Sequence, residues 1–245
     1  MSQTTHNPTP QTPLSESPFT ASSHTTDGKK HLLLAASGSV ATIKIPLIAQ
    51  SLSHHPNLSI QIILTKSASN FLCGQSAEQP HYSTLLQIPN VDGVFLDDEE
   101  WVHPWKRGNS ILHIELRRWA DVLVVAPLSA NTLAKITGGF SDNLLTSVVR
   151  AWDTTGLVDG EGRRRRRKRI VVAPAMNTAM WRHPVTARQV RVLEEEWGVK
   201  EGGEGEGWFE VLRPMEKELA CGDVGDGAMK DWKEIVKVIE ARLEL

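Results

Sequence analysis

The chain has 245 residues and a mass of 27.1 kDa, enough for one sizeable domain. Its 27 basic and 29 acidic residues leave a net charge of −2, so no global field directs it to nucleic acid or an anionic membrane. Cys73 and Cys221 stand alone, which excludes a disulfide framework and a zinc module, and neither a membrane-span-length apolar run nor a signal-peptide pattern occurs.

A soluble cytoplasmic protein without a metal is therefore expected. Residues 1–30 are Ser, Thr or Pro at just over half of their positions, with little that is apolar beyond Leu14 and Phe19. Such a segment cannot bury enough surface to offset the entropy of ordering it, so a disordered tail is expected, with a phosphorylated regulatory arm as the functional alternative.

From His31 the pattern changes. His31-Leu-Leu-Leu-Ala-Ala36 is a short apolar run that leads through Ser37-Gly38-Ser39-Val40 into apolar residues at helical spacing, Ile43, Leu47, Ile48 and Leu52. A buried strand, a glycine turn and a helix open a parallel α/β fold. Leu58–Leu64 reads as the next strand, with Thr65-Lys66-Ser67 capping a helix that runs through Phe71 and Leu72. His113 begins an amphipathic helix. Asp121–Ala126 is the most hydrophobic strand, entering Pro127-Leu-Ser-Ala-Asn-Thr132 and a further helix, and Ile170–Ala173 is a strand followed by Pro174-Ala-Met-Asn177. Trp232, Ile235, Val236, Ile239 and Leu243 mark an amphipathic closing helix.

The fold class predicted is α/β: one Rossmann- or flavodoxin-like domain over 31–245, with a doubly wound parallel sheet and its ligand beyond the carboxyl ends of the strands. Two charged stretches interrupt it, near 156–169 and 200–207. Seven consecutive basic residues run from Arg163 to Arg169, and Gly and Glu dominate from Glu201 to Gly207. Both read as solvated loop insertions; a nuclear address or polyanion patch is the alternative for the basic run.

Four strand ends offer the same chemistry: Gly38-Ser39-Val40, Thr65-Lys66-Ser67, Ser129-Ala130-Asn131-Thr132 and Ala175-Met176-Asn177. Each brings hydroxyls, amides or free backbone N–H groups to a helix start, where unpaired donors and the helix dipole favour an anion. One alone is an ordinary cap; four together point to a phosphate-bearing ligand. Neither GxGxxG nor GxxxxGK[ST] is present, so a mononucleotide fits better than NAD or ATP. Three residues are candidates for polar work. His113 reads as a packed or capping residue or as a catalyst. Cys221, in the glycine-rich run Ala220–Met229, reads as a free thiol or as part of a lid. Asn177 reads as a cap or as a carboxylate ligand.

Together, Pro127–Thr132, the PxMNxxMW run Pro174–Trp181 and Ala220-Cys-Gly-Asp223 resemble the homo-oligomeric flavin-containing cysteine decarboxylases, in the eukaryotic phosphopantothenoylcysteine decarboxylase and halotolerance-protein branch. The resemblance implies FMN and a carboxy-lyase that converts 4′-phosphopantothenoyl-cysteine to 4′-phosphopantetheine in coenzyme A synthesis. It also implies a homotrimer with sites between protomers. Gly38, Ser39, Val40, Thr65, Ser67, Ser129, Ala130, Asn131, Thr132 and Met176 would then contact the flavin. Asn177, Ala220 and Met229 would contact the substrate, and His113 and Cys221 would be the catalytic pair. Three residues before Cys221, where plant-type relatives have a basic residue, stands Glu218, which leaves Lys217 or Lys230 for the substrate phosphate.

The chemistry explains the need for these groups. Direct loss of CO2 from a cysteinyl end leaves a carbanion with nothing to delocalise it. Oxidation of the CH2–SH unit to a thioaldehyde places the carboxylate β to C=S, so decarboxylation gives a stabilised enethiolate that is later reduced. The final step needs a proton. A thiol of ordinary pKa, about 8.5, is mostly protonated at neutral pH and suits that role. The same resemblance carries alternatives: an inhibitory subunit of a type 1 protein phosphatase, a hetero-oligomer with paralogues, or a cysteine decarboxylase with another substrate. A flavin-modifying prenyltransferase would lack the Ala-Cys-Gly-Asp loop.

Overall fold

The computed structural model describes residues 19–102, 104–159, 167–200, 207–218 and 224–245. Six strands form one parallel sheet, β1 (Lys30–Ala36), β2 (Leu58–Leu64), β3 (Val91–Leu96), β4 (Val122–Leu128), β5 (Arg169–Pro174) and β6 (Phe209–Val211), in the order β3-β2-β1-β4-β5-β6. A separate antiparallel pair, β7 (Met215–Glu218) and β8 (Val224–Ala228), follows.

The continuous apolar runs are explained by burial on two sides. Leu32, Leu34 and Ala36 of β1 face one core, with α1 (Ile45–Leu52), α2 (Lys66–Ser69) and α8 (Trp232–Leu243). Leu33 and Ala35 face the other, with α3 (Leu112–Trp119), α4 (Ala130–Thr137), α5 (Leu144–Arg150) and α7 (Pro184–Arg191). A strand covered on both faces has no solvent side to alternate toward, so every residue from Leu32 to Ala36 is fully buried. Each such Leu contributes roughly 1.5–3 kcal/mol relative to exposure. The short α6 (Thr178–Arg182), which follows the carboxyl end of β5, has no fully buried residue and packs the half-buried Trp181 against the second core.

The neighbouring central strands β1 and β4 send their following helices to opposite faces of the sheet. That reversal opens a crevice at their carboxyl ends, the expected place for a ligand in a doubly wound sheet. The predicted fold class is the one observed. No helix among the described residues is long and apolar enough to cross a membrane.

Several boundaries differ from the sequence expectation. Ordered structure begins before residue 31: Phe19 packs edge-on against Phe95 and Trp119, both at 5.8 Å between ring centroids, and a 3-10 turn covers Ala21–His24. The Ala21 N–H donates to Glu115 Oε2 at 2.8 Å, His24 packs edge-on against Trp119, and Asp27 pairs with His31 at 3.1 Å, so ring contacts and hydrogen bonds extend the domain into the segment expected to be a tail. Residues 1–18 lie outside the described residues. The helix after Thr65 ends at Ser69, short of Phe71 and Leu72, and the first helix begins as a 3-10 turn at Val40–Lys44. The glycine-rich run ending at Met229 contains β8 rather than being loop throughout. The charged stretches at 160–166 and 201–206 lie outside the described residues; their flanks lead into the amino ends of β5 and β6.

Candidate active site

A cavity of about 770 Å³ lies at the carboxyl ends of β1, β2, β4 and β5, within the roughly 300–1,000 Å³ typical of cofactor sites. Its floor is tied together by Ser37. The Ser37 N–H and hydroxyl both donate to the Pro127 carbonyl, at 3.0 and 3.1 Å, and Ser37 Oγ accepts from the Ser129 N–H at 2.8 Å. The turns after β1 and β4 are thereby locked edge to edge.

The predicted capping residues cap. Thr65 Oγ1 accepts from the Ala68 N–H at 3.2 Å, Ser129 Oγ from the Thr132 N–H at 3.3 Å, and Asn177 Oδ1 from the Met180 N–H at 2.8 Å. Each cap stabilises its helix by about 1 kcal/mol, and in the first turn of α2 the Lys66 N–H donates to Asp97 Oδ2 at 2.8 Å. Asn177 does more: with Oδ1 committed to the cap, both hydrogens of its amide nitrogen are left for a ligand.

Gly38 has a steric reason. A Cβ there would sit 2.5 Å from the Cβ of Ser67, so only glycine lets the β1 turn close on the start of α2. Gly38, Ser39, Val40, Thr65 and Ser67 line one wall of the cavity, and Ser129, Ala130, Asn131, Thr132 and Met176 another. This is a cradle with hydroxyl and backbone donors but no side-chain bulk at its tightest point. Its donor set fits a phosphate-bearing planar cofactor such as FMN.

The third wall is the β7–β8 pair. Gly227 accepts from the Met176 N–H through its carbonyl at 3.0 Å. A Cβ at Gly227 would lie 2.2 Å from the Met176 carbonyl oxygen, and one at Gly225 only 1.6 Å from Thr178 Oγ1. The two glycines let β8 press against the segment that carries Asn177. Met215 and Met229 line the cavity from this side.

Of the predicted site residues, the flavin group, Asn177 and Met229 come together in this one cavity. Ala220 and Cys221 lie outside the described residues, between the end of β7 at Glu218 and the start of β8 at Val224. His113 does not line the cavity of its own chain. It sits in the first turn of α3, where its Nδ1 and backbone N–H both meet Glu100 Oε1.

The sequence reading missed other lining groups. Lys44 and Lys135 face the cavity as cations, beside Lys66 and Lys230. Asp97 lies at its edge, where burial pushes its carboxyl up, opposed in part by the backbone N–H groups of Lys66 and Leu144. The signal available for these cations was their place, each in the first turns of the helical segment that follows a predicted strand end; nothing in the sequence marks Asp97.

Comparison with known proteins agrees with this geometry. The Flavoprotein family model matches residues 20–244. A curated Arabidopsis thaliana protein, "Phosphopantothenoylcysteine decarboxylase", is 42% identical over 208 residues, covering 85% of this chain and 82% of its own. A solved PPC decarboxylase variant complexed with pantothenoylaminoethenethiol superposes with a TM-score of 0.66 at 39% identity, covering 89% of this chain and all of the other. The structure called the FMN binding protein AtHal3 gives a TM-score of 0.65 at 40% identity, covering 88% and 97%. With the cradle, the caps and these likenesses together, the chain belongs to the Flavoprotein family, in the branch of the phosphopantothenoylcysteine decarboxylases.

Proposed function

We propose that the protein is an FMN-dependent carboxy-lyase that decarboxylates 4′-phosphopantothenoyl-cysteine to 4′-phosphopantetheine. The observation that carries this reading is the pairing, in one cavity, of a glycine- and cap-lined cradle with an asparagine whose amide donors are left free. The Gly38–Val40 turn, Ser67 and Ser129–Thr132 would hold the cofactor. When bound, FMN supplies a two-electron acceptor for the CH2–SH unit of the substrate and a hydride for its product.

The residues of the chain do the rest. The Asn177 amide donates to the substrate carboxylate and holds the breaking C–C bond in one orientation. Lys230, at the cavity wall, is the contact for the substrate phosphate, because Glu218 cannot serve. Met229 packs against the substrate chain. Cys221, between β7 and β8 in the sequence, donates the closing proton, and His113 takes the thiol proton at the start.

His113 reaches that position from a neighbouring protomer in a homotrimer. Two features support this: His113 is absent from the lining of its own cavity, and Trp101, Val102, Trp105 and Phe140 are exposed, Trp101 to 63%. Large exposed side chains of this kind are suited to cover by a second subunit.

The test is one cuvette. Purified protein supplied with FMN is expected to show flavin absorption, and to release CO2 when phosphopantothenoyl-cysteine is added. A folded preparation that binds no flavin, or binds it and releases no CO2, overturns the proposal.

A further inference from the structure

Glu100 is an acidic side chain that the proposed chemistry does not use, yet it is only 3% exposed. It lies in the 3-10 turn Asp97–Trp101 that follows β3, thirteen residues before His113. One of its oxygens, Oε1, meets two groups of the same residue: the His113 backbone N–H at 3.2 Å and the ring atom Nδ1, in a short contact. Ile111, at the N-cap of α3, makes no side-chain cap of its own. The carboxylate therefore does two things, completing the first turn of α3 from another element and clamping the imidazole.

An ionised carboxylate accepts hydrogen bonds and donates none, so the shared proton belongs to Nδ1. The opposite ring atom, Nε2, then carries a lone pair and has no partner among the described residues. Backbone and ring are held by one buried oxygen, so the ring is fixed against the helix that carries it. This is the arrangement by which a carboxylate sets the tautomer of a histidine and stabilises the imidazolium formed when it takes a proton.

We propose that Glu100 is the positioning residue of His113, holding it as the Nδ1–H tautomer with Nε2 as the proton acceptor. The proposal rests on the decarboxylase reading only for the source of the proton, the substrate thiol. In that step one S–H bond breaks and one Nε2–H bond forms; the carboxylate gains no proton. A capping role alone would also bury Glu100, so the test must separate the two. In a His113→Asn variant the backbone N–H remains, and a purely capping Glu100 would matter as much there as in the wild type.

The experiment is a double-mutant cycle on the FMN-loaded enzyme, with a spectroscopic measurement beside it. Glu100→Gln is expected to lower kcat about 10- to 100-fold with KM and flavin content unchanged, and to cost nothing further in the His113→Asn background. Unchanged kcat, or the same fold loss in both backgrounds, overturns the proposal. Nitrogen-15 histidine spectra of the wild type, at a pH where the ring is neutral, are expected to show His113 as Nδ1–H, its signal assigned by absence from His113→Asn. An Nε2–H tautomer overturns the proposal whatever the kinetics. A wild type that binds FMN but releases no CO2 would sink the decarboxylase reading, while the spectrum would still decide the role of Glu100.

Discussion

Gly38 and Ser67 approach so closely that a methyl group on the first would lie 2.5 Å from the Cβ of the second. Two strand-end turns, after β1 and β2, thus share one wall of the cavity with no space between them. Gly38→Ala must move one turn or the other. Overpacking of this kind costs about 1–3 kcal/mol, and where that strain falls on the cofactor-binding arrangement FMN affinity drops about five- to hundredfold. Fluorescence titration of the apoprotein with FMN measures it.

Asn177→Asp separates capping from ligand binding. Aspartate caps a helix as well as asparagine does, so α6 and the thermal midpoint are expected to stay nearly as they are. The variant loses both amide donors and sets a negative charge against the substrate carboxylate. Turnover should fall about a hundredfold or more with the flavin spectrum intact. Steady-state kinetics beside an absorption spectrum check both halves.

Cys221→Ser should stop the reaction after CO2 is lost. A serine hydroxyl is a far weaker acid than a thiol, so the oxidised, decarboxylated intermediate is expected to accumulate on the enzyme. Mass spectrometry of a denatured single-turnover mixture would detect it, and normal product formation would remove Cys221 from the mechanism.

The proposed sharing of the cavity between protomers is tested by a mixing experiment. His113→Asn and Asn177→Asp subunits are each expected to be nearly inactive. Dissociated, mixed in equal amounts and reassociated, they should regain about a quarter of wild-type activity, because one site in four receives an intact residue from each side. A site built within one chain would give no recovery.

Asp153 predicts a pH effect on stability. Burial alone would push its carboxyl up, but the Thr155 hydroxyl and the backbone N–H groups of Asp159, Thr155 and Gly156 outweigh burial and hold it down at about 2. A depressed acid contributes stability that is fully present above its unfolded value, near 3.8, and is lost as the pH falls toward 2. Asp153→Ala should therefore cost about 2 kcal/mol at neutral pH, the gap to wild type narrowing between pH 4 and pH 2. Chemical denaturation at a series of pH values tests it.

The sequence disclosed those elements whose environment forces a simple pattern. β1, β4 and β5 are covered on both faces, so their residues form apolar runs, while β2, buried along its whole length, carries Ser59 and Gln61 within its run. Edge strands have no such constraint. β3 is interrupted by Asp92 and Gly93, and a Cβ at Gly93 would meet Gln61 Oε1 at 2.2 Å, so its glycine serves packing rather than a turn. β6 has only three residues. Gly225 and Gly227 read as flexibility in the sequence, whereas they admit β8 against Thr178 and Met176. The capping residues of the site were legible because a cap is local. The Glu100–His113 contact was not, because it joins two elements through a loop whose course no periodicity reveals.

In sequence, both long charged stretches stand on the amino side of β5 and β6, while the turns that carry Gly38, Thr65, Ser129 and Asn177 into the cavity leave from carboxyl ends. The two poles of the domain are thus under different rules of inheritance. At one, a single added methyl at Gly38 collides with a neighbouring turn. At the other, the sequence before β5 and β6 carries a basic run that ends at Arg169 and a Gly/Glu tract. A change of length or charge before β5 and β6 therefore leaves the spacing between the Gly38 and Ser67 turns untouched.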